Sequence, residues 1–117
     1  MTTPKGSTEV LALFRLAFQN REIWINGRPP RPIPPSKPAL AANCQEEIEV
    51  LAHDFAQVLS AVLGQYPDIQ DKALEFMNKL FTLLHGLVDK KHIGYIIIDN
   101  MMCDRDGDFT FHYILYG

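Results

Sequence analysis

A chain of 117 residues, 47% hydrophobic and 10% aromatic, carries too much apolar matter for global disorder and too little length for two cores. One domain over residues 1–117 is expected, large enough to fold without staples. Eleven basic against fourteen acidic side chains give a net charge of -3, which argues against a nucleic-acid-binding face.

The first periodic segment runs from about Thr8 to Asn20, with Ser7 or Thr8 placed to cap it. Val10, Leu13, Phe14 and Ala17 share one face, and Leu11 and Phe18 widen it, so this helix should be well covered. The residues before it hold one lysine and no long apolar run, and Arg15 interrupts the apolar stretch that begins at Val10. Neither a signal peptide nor a membrane span is expected.

Ile23, Trp24 and Ile25 favour a short strand, which Asn26-Gly27 ends as a turn. Trp24 is the sole tryptophan, expected as a core or interface anchor. Arg28 to Pro38 reads RPPRPIPPSKP, with six prolines. Proline lacks the N–H donor and biases its predecessor away from the helical region, so an extended, semi-rigid connector is predicted. Within it, Pro32, Pro35 and Lys37 fit a PxxPx(K/R) pattern that an aromatic groove can accept. A stiff connector, or an arm on a neighbouring subunit, is the preferred reading. Arg28, Arg31 and Lys37 make it basic, but too weakly to predict attachment to a membrane or nucleic acid, even with Arg21 added.

Asn43 opens the second helix, with Glu46 completing a capping-box-like start. Ile48, Leu51, Ala52, Phe55, Val58, Leu59 and Val62 form its apolar stripe, and Gly64 and Pro67 stop it. Asp68 can cap a third helix reaching about Lys90. That helix has two stripes: Ala73, Phe76, Leu80, Leu83 and Leu87, then Leu74, Phe81 and Val88, with Met77 and Leu84 between. A helix apolar over so wide an arc is central to the domain or forms part of a subunit interface.

After Lys90-Lys91 the pattern turns β-branched and aromatic. Ile93–Met102 and Phe109–Tyr116 flank the turn formers Cys103-Asp104-Arg105-Asp106-Gly107-Asp108, which predicts a hairpin. The run Tyr95-Ile96-Ile97-Ile98 is apolar on both faces and demands cover on both. The fold class is therefore α+β: two or three packed helices against a small antiparallel sheet, ending in a C-terminal β-hairpin, with the proline-rich connector after the first helix and strand. The expected core is Leu13, Phe14, Phe55, Val58, Val62, Phe76, Leu80, Leu83, Leu87, Ile96, Ile98, Phe111 and Tyr113.

Signals for chemistry are weak. Counted from Asp104 as a calcium loop, glycine falls fourth and the twelfth residue is Leu115, where an EF-hand needs glycine sixth and glutamate twelfth. Asp104, Asp106 and Asp108 remain weak candidates for a looser divalent site, against a simple turn. His53, His85, His92 and His112 form no ligand pattern, and adjacent His53-Asp54 cannot face each other on a helix. A nucleophilic Cys103–His112 or Cys44–His53 pair has no support in the spacing. Nucleotide-binding loops are absent from the sequence, and no cofactor is expected.

Cys44 and Cys103 form no CxxC pair, which predicts reduced thiols in a cytoplasmic setting. Apolar helix and strand faces in excess of what one small sheet covers, together with a rigid proline arm, predict a non-enzymatic protein-protein interaction module of the adaptor, inhibitor, immunity or assembly-factor kind. A homodimer is the expected assembly. Its partner-binding residues would be Trp24, Arg28, Arg31, Pro32, Pro35, Lys37, Leu74, Phe81 and Val88. The alternative is a small enzyme or divalent-metal domain using Asp99, the acidic hairpin turn and His112.

Overall fold

The computed structural model describes residues 4–27 and 39–117. The proline-rich segment, with Arg28, Arg31, Pro32, Pro35 and Lys37, lies outside the described residues. Three α-helices pack against a four-stranded sheet among those described.

Helix α1 spans Ser7–Phe18 and is not capped by a serine or threonine side chain. Gly6 does the work instead. Its φ of +89° is a left-handed conformation that favours glycine, and a Cβ there would run into the Tyr66 ring. The Gly6 carbonyl accepts the first helical hydrogen bond from Val10 N–H at 2.9 Å, and Ser7 becomes a buried first-turn residue.

Helix α2, Gln45–Leu63, starts one residue later than its sequence suggests, with Cys44 rather than Asn43 at the cap position and no side-chain cap. The reach-back belongs to Glu47 rather than Glu46: its Oε2 accepts from Asn43 N–H at 2.7 Å. A short 3-10 turn, Pro67–Ile69, then leads into α3, Gln70–Val88.

Strands β1 (Glu22–Trp24), β2 (Leu40–Ala41), β3 (Tyr95–Cys103) and β4 (Phe109–Tyr116) lie in the order β2-β1-β3-β4. The β3–β4 hairpin and the β1–β3 pair are antiparallel, whereas β2 runs parallel to β1. The sheet is thus mixed, because a two-residue strand too short to show periodicity joins β1 from the far end of the connector.

Strand β3 outruns β1, which pairs only with Tyr95–Ile97. Beyond that, α1 covers the freed backbone. Arg15 donates from Nε and Nη2 to the Met101 carbonyl at 3.0 and 2.7 Å. Gln19 Oε1 accepts from Met101 N–H, and Asn20 N–H donates to the Ile98 carbonyl. This is the stretch where an irregularity between Ile98 and Asn100 makes Asp99 an extra residue. Side chains of Arg15 and Gln19 and the backbone of Asn20, at the end of α1, here stand in for a strand.

At the other end Asn26 is more than a turn former. Its Nδ2 lies 3.2, 3.1 and 2.9 Å from the carbonyls of Leu87, Lys90 and Ile93. Two amide hydrogens shared among three acceptors tie the end of β1 to the turns that end α3, where the Leu87 and Lys90 carbonyls also accept from the Lys90 and Ile93 N–H groups.

The helices lie on one face of the sheet, that of Ile23, Ile96, Ile98, Met101 and Phe109, all buried. Phe14 is the hub. Its ring centroid lies 5.0 Å from Phe55 of α2, 4.7 Å from Phe76 of α3 and 6.2 Å from Phe109 of β4. Offset and edge-on aromatic pairs add to the burial itself. Of the expected core, Val58 and Tyr113 are instead exposed, at 51% and 43%. Helix α2 fully buries only Ile48, Phe55, Leu59 and Leu63, so Val58 sits one helical step off that stripe and faces water. Tyr113 does lie on the helix-facing side of β4, but at the sheet edge past the reach of the helices.

Phe14 joins three helices and the hairpin and is fully buried among their rings. Phe14→Ala should cost about 3–5 kcal/mol, read as a lower denaturant midpoint at unchanged slope.

Candidate protein-binding surface

The sheet face away from the helices carries Trp24, Tyr95, Ile97, Asn100, Met102, Thr110, His112, Ile114 and Tyr116, by alternation along the paired strands. Its floor is an aromatic ladder. Trp24 stacks on Tyr95 at 4.4 Å, and Tyr95 on Tyr116 at 4.6 Å with the rings 5° from parallel. The ladder gives the Tyr95–Ile98 run part of the second cover that its sequence demands.

Strand β4 is the sheet's long edge, eight residues without proline, glycine, aspartate, glutamate, lysine or arginine, FTFHYILY. Tyr113, Ile114 and Leu115 are 43%, 46% and 38% exposed. The opposite edge, β2, is two residues long. Long, uncharged, apolar edges are what proteins usually shield, since their free N–H and C=O groups template pairing with another strand.

The partner-binding residues expected from sequence distribute unevenly around this surface. Trp24 is 9% exposed and spends its ring on the ladder, and its Nε1 has no hydrogen-bond partner among the described residues. Phe81 is buried with its ring 5.7 Å from Phe18. The second stripe of α3 therefore serves mainly the chain's own core. Leu74 and Val88 are half-buried, and Leu74 lines an open, shallow groove on α3 with Asn78, Thr82 and Leu83. Not among the expected partner-binding residues are the three consecutive exposed residues Tyr113 to Leu115 of β4, whose signal is a segment free of acidic residues, lysine, arginine and proline.

The acidic turn is built as a turn. Gly107 has φ +86° and donates to the Asp104 carbonyl at 3.1 Å. Asp104 Oδ1 accepts from the backbone N–H groups of Asp106 and Asp108, at 2.9 and 3.0 Å. Lys72 of α3 donates to the Asp106 carbonyl and meets Asp108 Oδ1 at 3.1 Å. The carboxylates of Asp104, Asp106 and Asp108 can bring one oxygen each within 4.8 Å of one another, all exposed. Beside them Lys72, Glu75, Lys79, Asp104 and Asp108 border a groove of about 400 Å³ between α3 and β4.

His112 is not part of that groove. It lies four residues along β4 from Asp108, about 13 Å at strand rise, on the face away from the helices. Asp99 is beside it, at the irregularity opposite His112 and Tyr113. His53 Nε2 pairs with Gln57 Nε2 at 3.1 Å, one helical turn on, rather than with Asp54. Cys103 pairs across the hairpin with Phe109 on the helix-facing side, so it and His112 belong to opposite faces.

No protein-family description matches the chain, and neither characterised proteins nor solved structures give a significant match. Among the described residues, no helix is long and apolar enough to cross a membrane.

Burial, and after it the Asp104 carboxylate, pushes the Cys103 thiol above its ordinary value of 9.0, and Asp108 adds to this; a hydrogen bond with Ser7 and the Lys72 charge oppose it. A raised value leaves less of the reactive thiolate at any pH below it. In a Cys44→Ser background, alkylation of Cys103 should therefore rise with pH to a midpoint above that of an unburied cysteine thiol in a short peptide. Asp104→Asn, which keeps the turn-forming oxygen and removes the charge, should move that midpoint down. A rate-versus-pH profile in both proteins checks this.

Proposed function

We propose that this protein is a non-enzymatic protein-protein interaction module, of the adaptor, inhibitor, immunity or assembly-factor kind, that works as a homodimer. The observation that carries this reading is the uncharged apolar edge β4, continuous with the aromatic outer face of the sheet. Backbone groups along a sheet edge give affinity for an extended segment, and alternate side chains give it selectivity. The two cysteines, Cys44 and Cys103, are free thiols, in keeping with a reducing, cytoplasmic setting. No cofactor, membrane or nucleic acid enters this reading.

An apolar contact is not screened by salt as surface ion pairs are. The tagged chain, recovered from its native host, should therefore retain a stoichiometric protein partner through a high-salt wash. It should also scatter light as a dimer after purification. A chain that keeps no stoichiometric partner and shows no self-association would overturn the reading.

A divalent-cation site at Asp104, Asp106 and Asp108 is the second reading, favoured by the proximity of the three carboxylates. Against it, one Asp104 oxygen is engaged by two backbone donors and Asp108 by Lys72. Millimolar Ca²⁺, Mg²⁺, Mn²⁺ or Zn²⁺ should leave the melting temperature unchanged. A rise that Asp106→Asn abolishes would establish the metal site, since a ligand held only by the native state stabilises it.

A further inference from the structure

We propose that β4 pairs antiparallel with β4 of a second copy, about a two-fold axis normal to the sheet at Tyr113, making one eight-stranded sheet. This rests on the homodimeric reading above and assigns it a surface and a register.

Pairing of strands is the one interaction that satisfies an edge's backbone groups along its whole length. The chain itself covers the stretch of ladder at Ile98–Met101, which β1 leaves unpaired, with Arg15, Gln19 and Asn20. At β4 no strand among the described residues lies on the far side.

The second copy follows from register and charge. A two-fold axis normal to the sheet keeps the helix layers of both copies on one side. Residues that face each other must then share a face, so the axis passes through a residue rather than between two. With Tyr113 on the axis, Phe111 meets Leu115 of the other copy on the helix side. Thr110 meets its Tyr116, and His112 its Ile114, on the outer side. Each copy thereby sets Tyr113 against the exposed Tyr113 of the other, Phe111 against its exposed Leu115 and His112 against its exposed Ile114. No like-charged carboxylates or ammonium groups oppose one another, which matters because like charges directly across a pair destabilise it.

The direction of pairing is set by the acidic turns. Asp108 is five residues from Tyr113, about 17 Å. Antiparallel pairing holds the two turns about 34 Å apart, several times the screening length of about 8–10 Å in ordinary salt. Parallel pairing would set six aspartates side by side.

Residue 113 is the only position of the strand that meets itself, which makes the test specific. Light scattering on the full chain should give twice 13.3 kDa. Tyr113→Lys and Tyr113→Glu should each give the single-chain mass, with unchanged far-ultraviolet circular dichroism, and an equal mixture of the two should restore the dimer. Should either variant fail to fold, Tyr113→Cys with Cys44→Ser and Cys103→Ser serves instead. Paired antiparallel residues have Cα atoms roughly 4.5–5.5 Å apart, within disulfide range, so mild oxidation should cross-link the chain almost fully. A wild-type chain that is monomeric at high micromolar concentration overturns both this pairing and the homodimer. A dimer unmoved by both charged variants, or left uncross-linked by the cysteine, overturns the β4 register alone.

Discussion

The structure hangs on a knot of phenylalanine rings tied at Phe14. Through Phe55 and Phe76 this side chain fixes α2 and α3, and through Phe109 it fixes the start of β4. Phe18, one turn further along α1, repeats the grip on Phe55 and adds Phe81. Phe76 then closes the circuit on Phe109 and Phe111. Rings from every helix and from the hairpin thus meet in one close-packed mass, so no helix can shift without opening a void. The polar contacts of α1 depend on this placement. Only with Phe14 and Phe18 seated do Arg15 and Gln19 reach the backbone of Met101.

A core gathered on one face has a geometric consequence. The rings meet the sheet at Phe109 and Phe111, the beginning of β4, and the helices give out before its end. From Tyr113 onward the strand is therefore hydrogen-bonded to β3 yet poorly covered on either face. The stacked Trp24, Tyr95 and Tyr116 give the outer face rigidity but no second layer. Apart from the two-residue edge β2, two exposed stretches of ladder result among the described residues, and they are treated differently. The one at Met101 is capped by long polar side chains from α1, whereas the one along β4 keeps an uncharged, aromatic and aliphatic character.

Much of this was legible in the residues. The three helices, the hairpin and its turn, and the Phe14, Phe55, Phe76 and Leu80 faces follow from periodicity and turn chemistry, which are local properties. What escaped was non-local. Strand β2 is two residues long and carries no period. Arg15 and Asn26 read as an interruption and a turn former, because contacts to Met101 or Leu87, 61 to 86 residues away, leave no local pattern. Val58 and Tyr113 have the right periodicity to be buried, and their exposure comes from how far a neighbouring layer extends. At the candidate surface, the apolar surplus was legible as an amount but not as a location. The wide arc of α3 left a central helix or an interface open, and Phe81 is consumed internally; the exposed large apolar residues are Leu16, Val50, Val58 and Met102, with Tyr113, Ile114 and Leu115 consecutive on β4.

That location bears on why the residues are apolar at all. A buried side chain is constrained by packing, so the character of Phe109 needs no explanation beyond Phe14 and Phe76. Tyr113, Ile114 and Leu115 are 38–46% exposed, and burial of apolar area stabilises in proportion to the area removed from water. Their contribution to the isolated fold is accordingly a fraction of what a core residue gives. Polar β-formers such as threonine would hold the same backbone hydrogen bonds to β3 while shielding the edge from pairing. Fold stability therefore asks little of these three positions, and an apolar edge carries a standing risk of aggregation. The property that stability does not require, and solubility opposes, is the one a strand-pairing contact uses.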